Sequence, residues 1–293
     1  MEHDVIIVGG GAAGLNAALV LTRARRNVLV IDSGTPRNRF AGHLHGFLSR
    51  DGLPPHELLA IGRKEVEGYG GQFAQGEVTR VEQVEGGIAV TFGDRRVTAL
   101  RALVTTGLTD ELPAVEGLPE RWGRDALHCP FCHGWEVRDQ PLGVIGGTSR
   151  SVHQASLVSL WSPDVTLFTH TMPPLSEKDA AQLAERGVKV VDGVVERLVV
   201  EQDALTGVEL ADGSVVARSA VFVAPAMVGN LDFLKGVETE TNEFFTRVVV
   251  DAMGRTSVPG LWAAGNVADP MAQLITAAAA GSAAAASIVS DLL

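Results

Sequence analysis

The sequence predicts an α/β protein of two units, the second inserted into the first. Three observations carry this prediction. A strand–glycine loop–helix–strand pattern opens the chain, a weaker copy begins near Leu142, and a block from about Thr246 returns to complete the first unit. In order, Val5–Val8 is a short β-branched strand, Gly9–Gly14 a glycine loop, and Leu15–Ala24 a helix by its apolar spacing. Val28–Ile31 is the next strand, ended by Asp32. Residues 34–52 form a long polar loop carrying Arg39, His43, His45 and Phe47. A helix near Pro55–Glu67 follows, then strands over Gly76–Val84, Ile88–Phe92 and Ala102–Thr105. Pro113–Gly123 is rich in Pro, Gly and charge and reads as a crossing between domains. The second unit has strand Leu142–Ile145, turn Gly146–Gly147, helix Ser151–Leu160 and strand Val165–Thr169. Further strands are Val188–Val191, Leu198–Val200 and Val221–Ala224. Val248–Val250, the block TSVPGLWAAGNVAD (Thr256–Asp269) and an Ala-rich helix over Gln273–Leu292 close the chain. The implied architecture is two Rossmann-like, three-layer ββα dinucleotide-binding domains. The first spans 1–114 and 246–293, and the second spans 115–245.

Composition bounds the function. In 293 residues, 46% are apolar and 20% charged, as in a folded protein, and 33 glycines suit many tight strand-to-helix turns. A net charge of -11 argues against a nucleic-acid partner, since phosphate backbones call for clustered Lys and Arg. No uninterrupted apolar run reaches the roughly eighteen residues of a membrane span. The N-terminal run leads straight into the glycine loop, which makes it a strand rather than a signal peptide. Two cysteines, three apart, are too few for a secreted disulfide scaffold, so the expected setting is cytoplasmic.

Gly9, Gly11 and Gly14 give GxGxxG between a strand and a helix, with Asp32 ending the next strand. The first glycine permits the tight turn and the second lets a pyrophosphate approach the backbone. The third lets helix and strand pack closely, while the acidic residue accepts from a ribose diol. The anion then meets the N–H groups of the helix N-terminus. Ala12 and Ala13 complete this loop. In the second copy Thr148 and Ser151 stand where the second and third glycines belong. The following strand ends Phe168–Thr169–His170–Thr171, with neither an acid for a ribose nor an arginine for a 2′-phosphate. This site is expected to keep the fold but bind a nicotinamide cofactor poorly or not at all.

Cys129 and Cys132 form a CxxC, which serves three purposes: apolar packing, metal binding or redox cycling. Zinc needs two further ligands, normally from elsewhere in the chain, and His128 and His133 are directly adjacent to the cysteines; no metal is expected. The spacing suits a dithiol–disulfide pair, and a neighbouring imidazole can act on a thiol near neutral pH as cation or base.

The loop GGGAAG (Gly9–Gly14), the TTG at Thr105–Gly107, the CxxC and the TSVPGLWAAGNVAD block occur in the order seen in low-molecular-weight thioredoxin reductases. The chain resembles that family over nearly its whole length. The resemblance implies FAD as cofactor, homodimers, and a second domain carrying the CxxC. It implies that Gly107, Gly265 and Asn266 approach the FAD, with Asn266 replacing the family's Asp. Gln273, Leu274 and Ile275 fall where the last helix meets the flavin. Two departures, HCPFCHGWE (His128–Glu136) and the degenerate second loop, resemble the dithiol oxidases that close disulfides in metabolites of the holomycin and gliotoxin type. By that likeness Cys129 meets the substrate, Cys132 faces the flavin, and His133 takes the place of the family's acid/base Asp. His128 is a further candidate. The partners implied are a small-molecule dithiol, with O2 as acceptor. A thioredoxin-like protein served by NAD(P)H or ferredoxin electrons is the alternative, and a flavoprotein redox sensor a third. His43, His45 and Phe47 are left as loop residues.

Overall fold

The computed structural model describes residues 1–293, which divide into two compact units. The first comprises 1–39, 47–110 and 227–293; the second comprises 40–46 and 111–226. Both are α/β, as the sequence predicts. The expected return at residue 246 differs from the observed one at 227. Met227 and Val228 already pair in parallel with Phe245 and Thr246, so 227–245 builds the first unit.

In the first unit a seven-stranded sheet runs Gln72–Gln75, Val28–Asp32, His3–Val8, Arg95–Val104, Gly87–Phe92, Val78–Val84. The ten-residue strand Arg95–Val104 is shared along its length. Residues 95–99 pair antiparallel with Gly87–Phe92, while 102–104 pair in parallel with Leu261–Ala263. Along His3–Val8 the side chains alternate between faces. Val5 and Ile7 join a core with Leu15, Ala18 and Leu21, and Ile6 and Val8 join another with Val90, Phe92 and Val248. Burial of both faces is why the strand reads as an unbroken apolar run.

The helices Ala12–Arg23 and Leu274–Asp291 cover the same side of this sheet. They pack closely through small residues: a Cβ on Gly281 would overlap the Ala13 carbonyl, and Asn16 Nδ2 donates to Ala278 O at 2.7 Å. The last helix, of 18 residues and mean hydropathy 1.4, is long and apolar enough to cross a membrane by length and composition. Its Thr, Ser and Gly interrupt the apolar run, and Ala277, Ala278, Gly281, Ala284, Ala285 and Ile288 turn one face into the core.

The second unit has a five-stranded parallel sheet in the order Lys189–Val191, Val165–Phe168, Leu142–Ile145, Ala220–Val223, Ala126–Leu127. An antiparallel three-stranded sheet, Val195–Glu201, Ala204–Leu210 and Val215–Ala217, packs beside it. Pro113–Gly123 is not the loose crossing its composition suggests. Leu118 is fully buried and Arg121 is sequestered between Asp125 and Asp203, so this segment is part of the second unit's core.

Candidate active site

The first glycine loop has the geometry its spacing predicts. Gly9, at φ 105°, turns the chain where a Cβ would sit 2.5 Å from Thr105 O. A Cβ on Gly14 would overlap the Gly9 carbonyl, whereas one on Gly11 would meet nothing within 4 Å. The loop is therefore closed on its protein side and open at Gly11, where a pyrophosphate fits against the backbone. Ala12 begins the helix, and the Ala13 methyl would lie 2.9 Å from a Cβ on Gly265. Asp32 Oδ1 accepts from Gly10 N at 3.1 Å, which fixes the carboxylate beside the loop. Arg63 stacks 4.4 Å over the Phe73 ring and extends to within 3.9 Å of Asp32 Oδ2.

The other residues assigned to FAD converge on the same unit. Thr105 Oγ1 donates to Val8 O and Gly9 O, tying the TTG segment to the first loop. Gly107 follows at φ 67°, and its carbonyl accepts from Asn230 N. Gly265 opens a short 3-10 turn at φ 77°. Asn266 Nδ2 donates to Ala272 O at 2.8 Å and to Asp269 O at 3.1 Å, closing the loop before the last helix. Gln273 is the extended N-cap of that helix and Leu274 its first residue, and N–H groups of a first helical turn lack intrahelical acceptors. This donor set, with an open cradle at Gly11, fits a dinucleotide of the FAD type.

In the second unit Cys129 and Cys132 are joined as a disulfide with Cα atoms 5.2 Å apart. Cys129 caps the single turn Pro130–His133, in which Cys132 N and His133 N both donate to Cys129 O. His128 sits just before it. Its Nδ1 lies 3.1 Å from Val223 O, and since a carbonyl only accepts, Nδ1 carries a hydrogen. Gln154 Nε2 donates to His128 O at 2.8 Å and fixes the backbone there. His133 is half-buried, and loss of solvation holds its imidazole below the usual histidine range. Glu136 acts in the opposite direction, and His45 adds to the lowering. Phe131 and Trp135, before and after Cys132 in the sequence, are both exposed. Phe131 meets Trp161 edge-on at 5.6 Å, and Arg138 stacks over Trp135 at 4.0 Å.

His45, left aside on sequence grounds, belongs to this group. Residues 40–46 cluster with the second unit, Leu44 is buried, and a Cβ on Gly123 would lie 2.7 Å from the Phe40 Cβ. His45 Nε2 lies 3.4 Å from Glu136 Oε1. Only the histidine content of a long loop hinted at this in the sequence, and no spacing rule links residue 45 to residue 136.

The second glycine loop is occupied by its own side chains. Gly147 N donates to the fully buried Ser151 Oγ at 3.2 Å, and Arg150 N donates to Thr148 Oγ1 at 3.3 Å. A Cβ on Gly146 would lie 2.8 Å from Met172 Sδ. His170, at the end of the following strand, takes φ 46°, and its Nδ1 accepts from Val195 N at 3.0 Å. Burial lowers its pKa, so this position carries a neutral ring instead of an acid or an arginine.

Residues 3–282 match the family described as pyridine nucleotide-disulphide oxidoreductase. Thioredoxin reductase aclD of Aspergillus oryzae is 29% identical over 99% of this chain and 96% of its own. A protein named probable thioredoxin reductase, from Arthroderma benhamiae, is 38% identical, but the match spans only 50% of this chain and 38% of that one. Among solved structures, HlmI superposes with a TM-score of 0.93 at 49% identity, over 99% of this chain and 92% of that one. With the glycine cradle and the CxxC disulfide described above, these matches identify the chain as a member of the pyridine nucleotide-disulphide oxidoreductase family and an FAD-dependent, thioredoxin reductase-like disulfide oxidoreductase.

Proposed function

We propose that the protein is a dithiol oxidase: it takes two electrons from a small-molecule dithiol through Cys129 and Cys132 and closes that molecule's disulfide. The observation carrying this reading is the second glycine loop. The N–H groups that would receive a nicotinamide pyrophosphate are bonded to Ser151 and Thr148, and His170 offers no charge to a ribose or a 2′-phosphate. Electrons then enter at the cysteines. The exposed Phe131 and Trp135 supply apolar surface for a small substrate.

A substrate thiolate attacks Cys129 Sγ, breaking the Cys129–Cys132 bond and leaving a mixed disulfide with a Cys132 thiolate. His133, neutral because burial holds its pKa down, removes the proton from the second substrate thiol. That thiolate attacks the substrate sulfur of the mixed disulfide, closing the product and releasing Cys129. His128, adjacent to Cys129 in sequence and held through Nδ1 by the Val223 carbonyl, is a further candidate for a role in proton transfer. Gly9, Gly11, Ala12, Ala13, Gly14, Asp32, Gly107, Gly265, Asn266, Gln273 and Leu274 would hold FAD, which would supply two-electron redox chemistry with dioxygen as the final acceptor. Homodimer assembly and a cytoplasmic setting are proposed with it, from the family likeness and the cysteine usage.

The test is Cys132→Ser. Under anaerobic conditions a small dithiol such as dithiothreitol bleaches the wild-type flavin, while the variant keeps FAD but stays yellow. Wild-type rates of bleaching in Cys132→Ser would contradict the scheme.

The reverse direction, to a thioredoxin-like protein, finds support in one feature. Exposed Phe131 and Trp135 present a surface that a protein segment also fits. It requires reduction from NAD(P)H or ferredoxin, and the filled second loop disfavours the nucleotide route.

A further inference from the structure

The turn after the CxxC brings three titratable side chains together. Glu136 N donates to His133 O at 3.2 Å, so Glu136 follows His133 by one closed turn. His45 arrives from the loop 40–46, which the buried Leu44 anchors, and its Nε2 stands 3.4 Å from Glu136 Oε1. The charged groups acting on His133 are these two, Glu136 from its own turn and His45 from the loop. Trp135, between His133 and Glu136 in sequence, is held by Arg138, whose Nη1 donates to Trp135 O at 2.6 Å.

We propose that Glu136 and His45 are positioning residues for His133: the Glu136 carboxylate steadies the proton that His133 takes from the substrate, and His45 sets how much of that negative charge His133 receives. This rests on the reading of His133 as the base of dithiol oxidation. A half-buried imidazole gains a proton only against the loss of solvation, and a neighbouring carboxylate offsets that cost. His45 and His133 draw on the same carboxylate, so the share of its negative charge that reaches His133 depends on His45. The chemistry stays balanced throughout: the substrate thiol loses a proton, His133 gains it, and the thiolate formed displaces Cys129 from the mixed disulfide.

The experiment is the pH dependence of anaerobic flavin bleaching by dithiothreitol in the FAD-loaded protein. Wild type, Glu136→Gln, Glu136→Asp, His45→Gln and the double variant Glu136→Gln/His45→Gln are compared. Flavin content and near-ultraviolet circular dichroism serve as controls for folding. Bleaching requires neutral His133, so the rate falls on the acid side at the His133 pKa. Glu136→Gln moves that midpoint down by about one pH unit and lowers the plateau. His45→Gln moves it up by a smaller amount, the double variant lies between the single ones, and Glu136→Asp largely restores wild type. If wild type is bleached by dithiol but the acid midpoint stays fixed in all variants, this proposal is overturned while the proposed function stands. If wild type is not bleached by dithiol at any pH, the proposed function itself fails, and the base role assigned to His133 fails with it.

Discussion

Asn266 shows how one side chain can be explained by its donors. Its amide nitrogen donates to the carbonyls of Ala272 and Asp269, and a carboxylate in its place would have no hydrogen to give. Asn266→Asp is thus expected to cost roughly 1–2 kcal/mol, seen as a fall of a few degrees in the thermal unfolding midpoint. An unchanged midpoint would remove the structural reason for Asn at this position. The residues of the first glycine loop, Asp32 and the two cysteines were legible because each obeys a short-range rule of spacing. His45 was not, since its partner lies 91 positions on and only the fold brings them together. The contact of His128 Nδ1 with the carbonyl of Val223 was equally hidden, since the two lie far apart in the sequence.

Elements were legible in proportion to how completely they are buried. Val5–Val8, Val28–Ile31 and Leu142–Ile145 announce themselves as β-branched or apolar runs because both their faces are covered. The helix Glu177–Glu185 buries only Leu183 and so lacks an apolar stripe. Its sign in the sequence is the cap, Ser176, whose hydroxyl accepts from Asp179 N. The strands Ala204–Leu210 and Val215–Ala217 mix polar and apolar residues without a clean period and were missed for that reason. Pro113–Gly123 misled because Pro and Gly mark turns whether or not the segment is packed. Here Leu118 is buried in the second unit's core, and Leu118→Ala should destabilise it by about 2–5 kcal/mol in urea unfolding. Close packing of the two long helices of the first unit yields a sharper test. Gly281 has no room for a Cβ against Ala13, so Gly281→Val should cost about 1–3 kcal/mol and weaken FAD retention during gel filtration. Retention and stability equal to wild type would show that the helices separate freely.

At the scale of the whole molecule, the family sets the chemistry, and the direction proposed for it rests on the second unit. The fold class and the inserted arrangement follow from two glycine loops and a returning C-terminal block. The exact point of return did not, because Ala226–Gly229 is a short strand, and one of its two neighbours, Leu108–Glu111, lies far earlier in the chain. The central claim is that electrons enter at Cys129 and Cys132 and not through a nucleotide on the loop at Gly146. The most direct measurement is anaerobic stopped-flow of the FAD-loaded protein, mixed in turn with NADPH, NADH and a small dithiol, with flavin absorbance followed. The expected result is rapid bleaching by the dithiol, none by either nucleotide, and recovery of the yellow colour in air with formation of hydrogen peroxide. Rapid bleaching by NADPH or NADH, with no response to the dithiol, would contradict it.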